Sequence, residues 1–186
     1  MNARIVKYSA GSILLILFVS GAMYFQQRMT LSKQRQDFSA RLAAEVEKAR
    51  RSNGGIEIHL KNATDFSWDR VHVFSPYIGA EKINEDLGYA WQPAESIASN
   101  AVDSIFWLVF TKNRKVVFYA DHPRQLGDFS GIYKQDGYGQ SEAIFRFVKS
   151  QRMTDDGRAW PFLEWSGENR QSSNYSGFQM SAASCQ

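Results

Sequence analysis

His59, His72, Asp69, Asp121 and His122 are the side chains of this sequence with acid–base chemistry in suggestive places. An imidazole is the usual general base near neutral pH. His59 and His72 fall on neighbouring stretches in which apolar and polar residues alternate. Pairing of two such strands would bring both rings beside Asp69, and a small hydrolase using His72 and Asp69 is one reading. The rest of such an enzyme is missing from the sequence. No Ser or Cys stands in a Gly-x-Ser-x-Gly turn, and no His-x-x-x-His or His-Glu-x-x-His spacing offers a metal site. The glycine-rich run 127–139 lacks the Gly-Lys-Ser/Thr of a phosphate loop. One cysteine, Cys185, excludes a disulfide framework and a zinc–thiolate cluster. No catalytic residue, metal ligand or cofactor is therefore assigned. The histidines read as solvated residues on polar strand faces, and Asp121-His122 before Pro123 as a polar strand end.

A second chemistry is recognition. Trp68, Asp69, Tyr77 and Trp91 are the types that serve as binding hot spots when exposed on a rim. The competing reading packs Phe66 and Trp68 under a sheet, with Asp69 accepting backbone N–H groups in a turn and Pro76 ending a strand. The stretch Phe66-Ser67-Trp68-Asp69-Arg70-Val71-His72-Val73-Phe74-Ser75-Pro76-Tyr77 resembles a family of small bacterial exported or membrane-anchored proteins. That family carries an aromatic-x-Trp-Asp-x-Val-x-Val/Ile-Phe-x-Pro-Tyr run. A short helix with Leu-Gly follows it, here Leu87-Gly88. Then come a Phe-x-Lys-Asn hairpin, here from Phe110 to Lys115, and the loop Pro123-Arg124…Gly127-Asp128-Phe129. The resemblance spans about residues 56–148. It implies the domain limits and an exported location, and it brings no activity. Ile78-Gly79 departs from it, because a Ser or Thr cap is more usual before the helix.

The elements that must position these residues follow from periodicity. Ile56, Ile58 and Leu60 alternate with polar residues, predicting a half-buried strand. A second strand is predicted over Val71–Phe74. Gly79–Leu87 reads as a short helix with Ile83 and Leu87 inward and Gly88 after it. Tyr89–Asn100 reads as irregular. Ser104–Thr111 is nearly all apolar, a central strand buried on both faces. It returns through Lys112–Lys115 into Val116–Ala120 as a hairpin. Asp121–Gly139 reads as loop, Ala143–Val148 as a strand and Trp160–Trp165 as an edge strand. The fold class expected is α+β: an antiparallel sheet of about five strands with one short helix over residues 56–166. A serine- and asparagine-rich tail, 167–186, reads as disordered.

Two segments precede that domain. Ser9–Phe25 is a run of seventeen uncharged residues, bounded by Arg4 and Lys7 before it and Arg28 after it. At ~1.5 Å per residue it reaches about 25 Å, the short end of a membrane span. Residues 1–29 read as a transmembrane signal anchor; a cleaved signal peptide is the alternative, with Ser20 and Ala22 spaced for cleavage. A short tail followed by a long domain predicts a single-pass protein of the bacterial inner membrane with its domain extracytoplasmic, although Arg28, Lys33, Arg35 and Arg41 argue the other way. Residues 30–55 read as a helical stalk. Leu31, Phe38, Leu42, Val46 and Ala49 form a narrow apolar seam that suits either dimerisation or rest against the domain.

Charge sharpens the functional classes. Nine of the 22 Lys/Arg but three of the 19 Asp/Glu lie in residues 1–55, so the domain is mildly acidic with 13 basic and 16 acidic residues. A nucleic-acid binder concentrates positive charge on its fold, so that class is set aside. The expected function is a membrane-anchored extracytoplasmic protein-binding module, of inhibitor or immunity type or an accessory subunit of an envelope complex. Its partner would be a protein of the cell envelope. The alternatives are the hydrolase and a structural or sensory element acting through stalk dimerisation.

Overall fold

The computed structural model describes the backbone of residues 10–100 and 102–167, and side chains within that range for Gln26 and from Met29 onward. A long helix α1, Ala10–Arg51, leads into the strands. Strand β1 is Glu57–His59, a 3-10 turn covers Leu60–Ala63, and β2 is Arg70–Phe74. Helices α2, Ala80–Leu87, and α3, Pro93–Ser99, follow. Then come β3, Ile105–Lys112; β4, Lys115–Pro123; a 3-10 turn at Arg124–Leu126; β5, Tyr138–Gly139; β6, Ile144–Val148; and β7, Phe162–Trp165.

The class is α+β, and the strands pair antiparallel. They form two sheets rather than one: four strands in the order β4-β3-β2-β5 and three in the order β1-β6-β7. Alternation tells a strand which face is buried but not which neighbour it takes, so the expected single sheet of about five strands is replaced by these two. Two short helices, α2 and α3, replace the single one expected within residues 56–166, and α1 runs through the segments read as anchor and helical stalk. The segment 89–100, read as irregular, contains α3. Pro93 stands in its first turn, where a missing N–H costs nothing, and Ala94 and Ile97 bury one face. Helix α2 ends as expected at Gly88, whose left-handed φ of 76° lets its N–H and that of Tyr89 return to the Asn84 carbonyl. Gly79 caps its start with no side-chain hydrogen bond.

Strand β3 is the centre of the molecule and is buried on both faces, as its apolar run predicts. Phe106, Leu108 and Phe110 point into the larger core; Val109 packs with Phe74, Ile83, Leu87 and Ile97 under α2 and α3. The larger core holds the inner faces of both sheets together with Phe38, Leu42, Val46 and Ala49 of α1. Phe38 meets Phe110 and Phe118 edge-on, with ring centroids 5.4 and 5.5 Å apart. Arg41 adds a polar tie, donating to the Ala63 carbonyl at 2.8 Å and pairing with Asp65. The apolar seam of the stalk is thus a core contact from Phe38 on, while Leu31 is 42% exposed. A boundary drawn at residue 55 cuts through this core.

Among the described residues no helix is long and apolar enough to cross a membrane. The side chains of the apolar run 9–25 lie outside those described, as does the tail from residue 168 onward.

Burial of a leucine side chain and the void its loss leaves set the scale of the α1 contact. Leu42→Ala should lower unfolding stability by about 2–5 kcal/mol, read as a shift in urea midpoint of the full-length protein in mild detergent. A fragment beginning at residue 56 should show no cooperative transition, and one beginning at residue 30 should keep it.

Candidate functional site

His59 and His72 stand on β1 and β2, which belong to different sheets, so strand pairing does not bring the two rings together. His59 is half-buried, its Nε2 3.8 Å from the Glu57 carboxylate. His72 is buried rather than solvated. Its ring stacks near Phe74, its Nδ1 has no hydrogen-bond partner, and burial lowers its pKa against the upward pull of Asp86. Gly137, at φ 67°, presses on it from β5's side; a Cβ there would stand 2.8 Å from the Val71 carbonyl oxygen and 3.1 Å from the imidazole. Asp86 reaches beyond the helix. Its carboxylate accepts the Tyr133 hydroxyl at 3.1 Å and pairs with Lys82 at 2.9 Å, which raises the Lys82 pKa. This set pins the loop before β5 onto α2.

Asp69 belongs to a turn. Its Oδ2 accepts the Asn113 N–H at 2.7 Å, and its own N–H donates to the Thr111 carbonyl at 2.7 Å. Asn113 and Arg114 have φ of 49° and 61°, the left-handed pair of a tight hairpin, and Asp69 steadies them. Trp68 is 2% exposed; its indole N–H donates to Thr64 Oγ1 at 3.0 Å and its ring lies edge-on to Phe110. The packing reading describes both residues. Trp91 is half-buried, edge-on to Tyr119. Tyr77 is 65% exposed, with φ of 64° just after Pro76. A bulky residue in that region is strained by roughly 1 kcal/mol or more. Of the three aromatics named for a binding rim, Tyr77 is the one presented to solvent.

The loop Pro123-Arg124…Gly127-Asp128-Phe129 is organised by Asp128, which is fully buried. Trp160 Nε1 donates to Oδ2 at 2.6 Å, Arg124 Nη2 reaches the same oxygen at 3.2 Å, and the Ser130 N–H and hydroxyl donate to Oδ1. The Asp128 backbone also bonds Pro161 and Leu163, docking the loop on β7. The sequence marks Asp128 within the Gly-Asp-Phe of this loop and Trp160 at the start of an edge strand, but assigns neither a role and does not show that they meet. Beside this joint lies His122, on a β4 that runs two residues beyond Asp121. It is fully buried and neither ring nitrogen has a hydrogen-bond partner. Burial pushes its pKa down to about 4, against a smaller upward pull from the Leu126 backbone. Phe129 meets it edge-on, and Gly127 lies so close that a Cβ would stand 2.8 Å from Nε2. Among the described residues no group of three His, Cys, Asp or Glu side chains is arranged to hold a metal ion.

An open cleft of about 640 Å³ lies elsewhere, between α1 and β4. Leu31, Ser32, Arg35, Gln36 and Ser39 form one wall; Tyr119, Asp121 and Pro123 form the other. The Arg35 guanidinium lies 4.0 Å over the Tyr119 ring. Neither Arg35 nor Asp121 makes an ion pair with a described residue. Cation, carboxylate, hydroxyls and an aromatic plate thus meet in one concavity, with donors and acceptors of both signs free. The cleft could not be seen in the sequence, because its walls come from a helix read as a stalk and a strand read for its core face. The chain matches no protein-family model, no curated protein and no solved structure.

The buried imidazole of His122 gives a pH signature. Its folded pKa of about 4 lies below the unfolded value of 6.5, so between these values the unfolded chain binds a proton that the folded chain does not. Stability is full above pH 6.5 and falls as the pH drops, by about 3 kcal/mol at most for this group. His72 acts in the same direction. Urea unfolding at pH 7 and pH 4.5 should show a smaller acid loss in His122→Leu than in the parent.

Proposed function

We propose that the chain is a membrane-anchored protein-binding module whose domain faces the extracytoplasmic side. The anchor is read from the uncharged run 9–25, and the orientation from the long domain that follows it. The observation that carries the recognition half of this reading is the α1–β4 cleft, which places unpaired Arg35 and Asp121 beside Tyr119. Leu31 lies six residues beyond Phe25, so at ~1.5 Å per residue the cleft begins roughly 9 Å from the end of the apolar run. A partner taken there would be held close to the membrane surface, as suits an inhibitor or an accessory subunit of an envelope complex. Tyr77 offers a second exposed contact, in the turn between β2 and α2.

The cleft favours binding over hydrolysis. It has no imidazole on its walls, and the imidazoles of His72 and His122 are enclosed. Dimerisation through the stalk is left little apolar surface, because the seam from Phe38 to Ala49 is already buried.

A photoreactive residue placed at Gln36 or at Tyr77 of the full chain, in its native cells, reports the partner directly. A discrete adduct with one envelope protein is expected from at least one position. The absence of an adduct from both, with the protein purifying alone, contradicts the module.

A further inference from the structure

The second wall of the cleft belongs to the edge strand of a sheet. Strand β4 is terminal in the order β4-β3-β2-β5. Its pairing with β3 places Ile105 opposite Pro123, Trp107 opposite Asp121 and Val109 opposite Tyr119. One pair further on, the Arg124 N–H donates to the Ser104 carbonyl at 2.8 Å. That bond fixes the phase of the ladder, because bonded and non-bonded pairs alternate along antiparallel strands. His122, Ala120 and Phe118 turn their backbone groups toward β3. Tyr119, Asp121 and Pro123 turn theirs away from it. These are the β4 residues that line the cleft. Pro123, which has no N–H to leave unpaired, falls on the outward phase as edge prolines do. No other hydrogen bond to the Tyr119 or Asp121 backbone is made by a described residue.

We infer that this cleft takes an extended peptide segment of a partner protein, which adds a strand to β4 and sets one acidic side chain on Arg35 and one basic side chain on Asp121. The inference rests on the binding-module reading and names the chemistry of its partner. Backbone pairing supplies the affinity in such strand addition, and side-chain pockets supply the selection. Here Arg35 is held over the Tyr119 ring, and Asp121 follows on the same face of β4 two residues later. Residues i and i+2 on a strand are about 7 Å apart, so the peptide carries its opposite charges two residues apart. The edge is guarded elsewhere: a bulge disturbs the pairing between Phe110 and Thr111, Lys115 begins the strand and Pro123 ends it. Such features discourage indiscriminate pairing and leave the stretch 119–122 open.

A second copy of the chain does not suit this edge. Antiparallel pairing of two β4 strands requires a twofold axis perpendicular to the sheet. Helix α1 packs along the sheet face through Phe38, with Leu42, Val46 and Ala49 in the same core, so that axis would reverse it. The two apolar runs would then point in opposite directions, which two anchors in one membrane cannot do.

The test uses a random eight-residue peptide library selected on the full-length protein in mild detergent. Selected peptides should carry Asp or Glu two residues from Lys or Arg. They should bind Arg35→Glu at least tenfold more weakly, and recover on Arg35→Glu/Asp121→Lys when their own two charges are exchanged. Bound peptide should slow hydrogen exchange at the Tyr119 and Asp121 amides. A selection without binders, peptides indifferent to the charge reversal, or amides that exchange as before would overturn the inference. The broader reading fails separately: adducts from Tyr77 with no peptide taken by the cleft keep the module and remove this site.

Discussion

Burial of one stripe of α1 is the constraint on which the rest of the structure depends. The two sheets share no strand, yet their inner faces meet in one core, and Phe38, Leu42, Val46 and Ala49 are part of that core. Each large apolar side chain so buried contributes about 1.5–3 kcal/mol relative to exposure. That is a large fraction of the stability of a domain this size. The aromatic cluster shows the interlock in detail. Phe38 sits edge-on to Phe110 and Phe118, which in turn meet Phe66 within 5.2 and 4.5 Å. A helix fixed this way cannot act as a free tether, and whatever its first half is attached to holds the domain in a set orientation.

Buried polar groups complete the frame. Asp128 has donors for both carboxylate oxygens and joins the end of β4 to β7. Asp86 binds α2 to the loop before β5 through Tyr133, while Lys82 of the same helix pairs with its carboxylate. These satisfied carboxylates are joints, because a group whose acceptors are all engaged has none left for a substrate. The free chemistry lies instead where α1 crosses one face of the four-stranded sheet and leaves its outer edge open. Rigidity there matters for recognition: an ordered edge and an arginine held on an aromatic ring lose little further freedom on binding.

Local features were legible in the sequence. The run 104–111 gave a strand buried on both faces, the Lys112–Lys115 turn gave the hairpin, and Ile83, Leu87 and Gly88 gave helix α2, because each depends on residues close in the chain. The two-sheet arrangement was not legible, since β1 chooses β6 over β2 through contacts that its own three residues do not encode. The seam of α1 was visible, but an apolar stripe suits a partner helix and a sheet equally. Trp68 and Trp91 show the same limit, because an aromatic residue in a polar stretch carries no mark of the side it faces. His72 shows its reverse: alternation put it on a solvated face, but that face is covered by α2 and the loop before β5. The cleft combines side chains from two distant segments, and neither segment shows alone that Arg35 and Asp121 converge.

The most direct measurement is amide hydrogen exchange of the full-length protein. If α1 is part of the domain core, the amides of residues 38–49 exchange only with global unfolding, at the same free energy as those of β3. Exchange of residues 38–49 by local opening, well ahead of β3, would contradict the account and return the helix to the role of a stalk.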